Sequence, residues 1–456
     1  MTRTTPPARS SRARSPRFGR GSRTGSAPTR RFRLPNGLTV LLHPLRAQPV
    51  VSVWCWYRVG SRDERPGLTG ISHWVEHMNF KGTRRIPKNE ITRGVELAGG
   101  FWNGYTWLDV TTYFETVNAG ALEPMLRLEA SRMTECLYPR AEVDRERTVV
   151  ISELQGGEND PRSYLEREVI GTALQAHPYR WPTIGYLSDL RAITRDDLYR
   201  HYRTYYVPAN AILVVAGDFE VAAALRMIRR HFGRIPAGPI PPAVRTIEPE
   251  QCGERRLVLR RPSGAAYLHL AFPAPAASDP AFPALLMADG VLAGGASLNA
   301  WSGHSGRGPS KSSRLYRALI ESGLAADFAT QVVATTHPFV YSIQATAKEG
   351  VDPGRIESAV LAEVDALGRG AIDPRDMERA RNQLLARHAL DGESVTDLAH
   401  QLGFFETIGS PDLYFQLPAR VKATTPEQVS RQVAAWGDGP RRTVGVLLPA
   451  APGEAP

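Results

Sequence analysis

His73-Trp74-Val75-Glu76-His77, with Glu153 seventy-six positions after His77, is the stretch from which the rest of the chain can be read. An H-x-x-E-H spacing puts two imidazoles at i and i+4, so on a helix both leave the same face one turn apart and can share one metal ion. Zinc held by three protein side chains keeps a fourth position for water and lowers that water's pKa towards roughly 7. A carboxylate beside it, here Glu76, can then take the proton, and that combination hydrolyses amides. The order is inverted relative to the commoner H-E-x-x-H, with the glutamate directly before the second histidine.

The surrounding residues predict a helix. The stretch 68–80 has no proline, and Ile71, Trp74, Val75 and Met78 fall at i, i+3, i+4 and i+7, an apolar stripe for a core. His73, Glu76 and His77 then occupy the adjacent face. A second helix is expected over 141–156, carrying Glu146 and Glu153 seven residues apart, two turns along one side. One of these carboxylates can be the third metal ligand and the other can support the site. Glu146 is equally an ordinary exposed charge that can pair with Arg145 or Arg147.

At this point the chain resembles the pitrilysin/insulinase family of zinc peptidases, and within it the bacterial relatives of the mitochondrial processing peptidase. The likeness begins at Leu34-Pro35-Asn36-Gly37-Leu38, passes through Gly60-Ser61-Arg62-Asp63-Glu64 and Gly67-Leu68-Thr69-Gly70 into the histidine motif, and continues with Phe80-Lys81-Gly82-Thr83. Asn103-Gly104-Tyr105-Thr106, Asp109-x-Thr111-x-Tyr113, His177-Pro178-Tyr179 and Val214-Val215-Ala216-Gly217-Asp218 extend it. Ser313-Arg314-Leu315-Tyr316 carries it into the second half, so it covers about 32–450.

The resemblance implies that His73, His77 and Glu153 hold one Zn2+ per chain, that Glu76 activates water, and that Glu146 is the accessory glutamate of the catalytic set. It also implies that substrate binds as an added β-strand along a sheet edge near Asn103, Gly104, Tyr105 and Thr106, a mode that reads backbone more than side chain. Residues 110–117, rich in Thr, Tyr, Phe and Val, suit a neighbouring strand. One departure stands out. Many catalytic members carry an Arg and a Tyr seven residues apart in the second half, where this chain has Leu319 and Ala326. The simplest expectation is a dimer in which an unlike subunit that lacks the zinc motif supplies those groups; the alternative is a weaker enzyme that manages alone. Residues 300–311, with three glycines and one proline, predict a mobile loop placed like the family's glycine-rich substrate loop.

At 456 residues the chain exceeds what one core sustains. The stretch 235–253 holds five prolines and few apolar runs, which marks a linker. The expected organisation is an Arg-rich disordered tail over 1–31, a zinc-binding peptidase domain over 32–235, a linker over 236–253 and a non-catalytic peptidase-like domain over 254–450. The resemblance implies an α+β fold of two related α/β-sandwich domains facing each other across a chamber.

The net charge of +10 is misleading, because ten arginines and no acid lie within residues 1–33; without them 46 basic residues meet 46 acidic ones. With no aromatic interleaving in the tail and no folded reader, no nucleic-acid partner is expected. The tail lacks the apolar segment of a secretory signal, and no apolar run approaches a membrane span. Cys55, Cys136 and Cys252, odd in number and far apart, point to a reducing compartment and a cytoplasmic location. Two function classes remain: a zinc endopeptidase acting on peptides or unfolded segments, and a structural or assembly subunit of the same fold. The intact His73, Glu76, His77 and Glu153 favour the first, since assembly alone requires none of them.

Overall fold

The computed structural model describes residues 28–295, 298, 309–409, 411–437 and 441–450. In the first half, β1 (Arg30–Arg33), β2 (Thr39–Pro44) and β3 (Val50–Tyr57) precede helices α1 (Ile71–Met78) and α2 (Lys88–Leu97). The hairpin β4 (Phe101–Thr106) and β5 (Thr111–Asn118) follows, then α3 (Leu122–Glu135), α4 (Arg140–Asn159), α5 (Pro161–Ala173), α6 (Leu187–Ala192) and α7 (Arg195–Tyr205). Strand β6 (Ala211–Gly217) and helix α8 (Val221–Phe232) close it. The second half repeats the plan with β7 (Arg255–Arg261), β8 (Tyr267–Ala274), α9 (Phe282–Leu292), β9 (Ala325–Val332) and β10 (Phe339–Ala347). Helices α10 (Pro353–Gly368), α11 (Pro374–Leu390), α12 (Val395–Ile408), α13 (Pro411–Ala423) and α14 (Pro426–Gly437) lead to the final strand β11 (Thr443–Pro449).

The first sheet runs β1-β2-β6-β3-β5-β4 and the second β7-β11-β8-β10-β9. Leaving out β1, the two orders match strand for strand. Each contains one parallel pair, with Thr39 opposite Ile212 in the first and Thr443 opposite Arg255 in the second, among otherwise antiparallel neighbours. The halves are therefore related α+β units, although the residues alone are too divergent to reveal a repeat. The fold is the expected one: two α/β-sandwich domains that face each other.

Strand β3, Val50-Val51-Ser52-Val53-Trp54-Cys55-Trp56-Tyr57, is β-branched and aromatic and buried on both faces from Val51 onward. Its second cover comes from the other half of the chain. Helix α12 packs on β3 and β6, while α5 packs on β7, β8 and β11 of the second sheet. Each domain thus lends one helix to the other's sheet. Every residue of α12 from Ala399 to Ile408 is buried. At Gly403 a Cβ would stand 2.0 Å from Nε1 of Trp56, so only glycine lets this helix lie on that strand. Polar contacts join the halves too. Arg31 pairs with Glu406 at 2.9 Å, and Asp109, held within its own half by the Tyr179 hydroxyl at 2.6 Å, accepts from the Thr336 backbone at 3.0 Å.

Several boundaries differ from the sequence expectation. The tail expected over 1–31 overlaps β1, where Arg30 and Arg31 pair with Leu42 and Leu41; a strand held by backbone hydrogen bonds tolerates charged side chains that reach solvent or an acid. Residues 1–27 of that tail lie outside the described residues, as do 300–308 of the expected loop. Between Phe232 and Arg255 there is neither helix nor strand, and Glu248 fixes this segment by accepting from the backbone of Gln175, Ala176 and His177 at 2.7, 2.9 and 2.8 Å. No helix among the described residues is long and apolar enough to cross a membrane. Cys55, Cys136 and Cys252 are free thiols, the first two buried.

Candidate metal centre

Helix α1 is placed by the loop before it. Gly70 has φ 84°, and a Cβ there would come within 2.4 Å of the Ile184 carbonyl oxygen, so the turn into the helix needs glycine. The carboxylate of Glu64 accepts from the backbone N–H groups of Gly70 and Ser72, both at 2.8 Å, and satisfies donors that the first turn leaves over. Burial pushes the Glu64 carboxyl up to about 8, against these donors. Ile71, Trp74, Val75 and Met78 are buried in the core of the first half, as the stripe predicts. From α4, Arg147 stacks over the Trp74 ring at 4.7 Å and donates to the Ile193 carbonyl at 2.9 Å, which fixes α4 against α1.

That packing brings three ligand atoms together. Nε2 of His73 and Nε2 of His77 stand 3.2 Å apart, and Oε2 of Glu153 lies 3.8 Å from the first and 3.6 Å from the second. Tetrahedral zinc with ligand bonds of about 2.0–2.2 Å separates its ligand atoms by about 3.3–3.6 Å. The three side chains therefore fit the ion. Among the described residues no other set of three His, Cys, Asp or Glu side chains converges in this way. The Glu153 side chain is 46% exposed, so the site opens to solvent on that side.

The electrostatics prepare the two rings differently. Nδ1 of His77 lies 2.9 Å from Oε1 of Glu146; since an ionised carboxylate only accepts, Nδ1 carries the hydrogen and Nε2 keeps its lone pair for a metal. Burial works against a charge on His77, yet Glu146 and the other nearby carboxylates hold its pKa above the usual histidine value. His73 is driven the other way, down to about 3, by burial and by the neighbouring His77, and is neutral as a metal ligand must be. Lys81 binds the other oxygen of Glu146 at 2.5 Å. Although burial opposes it, hydrogen bonds from His77 and Lys81 bring the Glu146 carboxyl down to about 2. Arg145 pairs with Glu142 instead, at 2.8 Å. Glu146 thus sits behind His77 with both oxygens committed.

Glu76 is buried on the same helix, and its Oε2 accepts from the Thr106 hydroxyl at 2.8 Å. Burial pushes its carboxyl up to about 7, against that hydrogen bond. A divalent cation nearby favours the ionised form.

Strand β4 is the last strand of its sheet and pairs only with β5. Its four candidate substrate residues have separate environments. Asn103 is exposed and its side-chain oxygen accepts from the Gly104 backbone at 2.8 Å. Gly104 is half-buried. The Tyr105 hydroxyl reaches Nε2 of His400 on α12, 2.7 Å away. The Thr106 side chain is buried against Glu76. In the second half, Leu319 is fully buried in the core and Ala326 is exposed on the edge strand β9, so neither offers a polar group to this site.

Sequence reasoning did not single out Glu64, Lys81 or His400. Glu64 and Lys81 stand in stretches that carry the family resemblance, but nothing in their spacing shows which atoms they bind. His400 contacts the site only because α12 crosses to the other half.

Comparison with known proteins places the chain in a family. The family profile described as Insulinase (Peptidase family M16) matches residues 39–185, and that described as Peptidase M16 inactive domain matches residues 192–384. The zinc protease PqqE of Helicobacter pylori is 30% identical over 374 residues, covering 80% of each chain. An uncharacterized zinc protease of Streptomyces coelicolor is 26% identical over 93% of this chain and 90% of its own. The probable mitochondrial-processing peptidase subunit beta of Arabidopsis thaliana is 25% identical over 89% of this chain and 76% of its own. Among solved structures, a protease from Helicobacter pylori shares the fold with a TM-score of 0.86 at 24% identity, covering 92% of this chain and 99% of that one. The chain belongs to the insulinase family, peptidase family M16, and two of these relatives are named zinc proteases.

Proposed function

We propose that the protein is a zinc endopeptidase in which His73, His77 and Glu153 hold one zinc ion and Glu76 is the general base. The observation that carries this reading is the convergence of three ligand atoms next to a buried carboxylate that is not one of them. When bound, zinc polarises the scissile carbonyl and makes water a nucleophile at neutral pH. The chain's own residues do the rest. Glu76 takes a proton from the attacking water and is placed to return it to the leaving amine. Glu146 keeps His77 in the tautomer and orientation that binding requires. The free edge of β4, with Asn103, Gly104, Tyr105 and Thr106, offers backbone groups to an extended peptide, which then lies beside Glu76. Such pairing suits unfolded segments and peptides of mixed sequence.

Leu319 and Ala326 favour a second subunit. With an apolar core residue and a bare strand position where polar groups would steady the substrate, we infer that an unlike family member supplies them in a dimer.

The test compares the wild type with Glu76→Gln on a mixed library of quenched fluorescent peptides, with zinc content measured for both. Zinc in both and cleavage by the wild type alone support the reading. Equal cleavage by the two rejects Glu76 as the base.

A further inference from the structure

The hydrogen bond between Thr106 and Glu76 joins the strand offered to substrate to the carboxylate that activates water. We infer that Thr106 is a positioning residue for the base: its hydroxyl fixes the Glu76 carboxylate, and through it β4 sets where that carboxylate stands. This inference rests on the zinc-peptidase reading above.

Three observations carry it. First, Thr106 Oγ1 lies 2.8 Å from Oε2 of Glu76, and both side chains are buried, so water does not replace the contact. Second, the Thr106 hydroxyl has one proton and two acceptors in reach. Thr111 Oγ1 is the farther, at 3.3 Å, and its own proton goes to the Val59 carbonyl at 2.9 Å. The carboxylate is nearer and charged, so the Thr106 proton goes to Glu76. Third, the backbone at Thr106 is held from both sides. Thr106 pairs with Thr111 across the hairpin, and the Trp107 N–H donates to the Val110 carbonyl at 2.8 Å. The Trp107 and Leu108 carbonyls accept from Ser61 and Arg62 at 3.0 and 3.1 Å. On the other side of Thr106, Tyr105 is anchored to His400. Thr106 is thus the fixed partner, and the Glu76 carboxylate, oriented by three side-chain torsions, is the group that needs fixing.

A threonine serves both demands at this position. Its β-branch suits a strand, and its hydroxyl supplies the donor that a buried carboxylate requires. The family resemblance had placed Thr106 with the substrate contacts, whereas its side chain points to the base and leaves only its backbone for a peptide.

The experiment measures steady-state cleavage of a quenched fluorescent peptide by the zinc-loaded full chain. It uses wild type, Thr106→Val, Thr106→Ser, Glu76→Gln and the Thr106→Val, Glu76→Gln double variant. Valine keeps shape and strand propensity and removes only the donor. The expected result is a fall in kcat of about 10- to 100-fold for Thr106→Val, with KM within about twofold and zinc content unchanged. Thr106→Ser should recover most of kcat. On the Glu76→Gln background the valine should cost little more, because the group it positions is gone. Wild-type kcat in Thr106→Val, or a loss just as large on the Glu76→Gln background, overturns the inference while leaving the peptidase reading intact. A zinc-loaded wild type that cleaves nothing, alone or with an unlike family subunit present, overturns the reading itself, and the inference with it.

Discussion

The Tyr105 hydroxyl, on the edge strand of the first domain, lies 2.7 Å from Nε2 of His400, on the helix that the second domain lends to the first domain's sheet. Burial pulls His400 down to about 3, so the ring is neutral and pairs with the phenol without adding charge. The contact ties the strand proposed for substrate to the opposite half of the molecule. Tyr105→Phe leaves a buried imidazole nitrogen without its partner, and an unsatisfied buried polar group costs about 1–3 kcal/mol. Urea unfolding of this variant should show a loss in that range; stability equal to wild type would mean that the contact does not hold the halves together.

On the proposed reading Glu146 supports the metal through His77, and its replacement should separate binding from fold. Glu146→Gln keeps an acceptor for His77 Nδ1 but removes the charge that also holds Lys81. Zinc affinity, measured by competition with a chromogenic chelator, should weaken about 10- to 100-fold, the usual effect of removing a partner behind a ligand histidine. An unchanged affinity would show that His77 is oriented by packing alone.

His269, on β8, gives a pH test away from the site. Both ring nitrogens are buried with no hydrogen-bond partner among the described residues, and burial lowers its pKa to about 3. A depressed folded-state pKa means that the contribution is fully present above pH 6.5 and is lost as pH falls towards 3, because the unfolded chain takes up a proton that the fold refuses. Between pH 8 and pH 5.5 this amounts to about 1.4 kcal/mol. His269→Leu should therefore gain on wild type by about that much more at pH 5.5 than at pH 8 in paired denaturation curves. A stability difference that is the same at both pH values would contradict the assignment.

Much of the site was legible because it rests on local periodicity. The stripe of Ile71, Trp74, Val75 and Met78 defines the helix and its buried face, so the direction of His73 and His77 follows. The helix spans Ile71–Met78, the length of the stripe, because Gly70 at positive φ turns the chain into it. Helix α4 runs through Arg140–Asn159, longer than the 141–156 expected, and Glu146 and Glu153 share a side as their spacing requires. The exchange of α5 and α12 was not legible. Periodicity says which face of a helix is apolar, and α12 is buried all round from Ala399 to Ile408, so nothing in its pattern names the sheet it covers. The role of Thr106 was hidden for a similar reason. In sequence it is one more β-branched residue in a strand, and only the register with Thr111 and the approach of α1 bring its hydroxyl to Glu76.

The proposed zinc site of His73, His77 and Glu153 can be seen outright by anomalous diffraction from zinc-loaded crystals at the zinc absorption edge. One strong peak per chain is expected between Nε2 of His73, Nε2 of His77 and Oε2 of Glu153, and its loss in His77→Ala. A peak elsewhere, or none at this place in crystals shown to contain zinc, would contradict it.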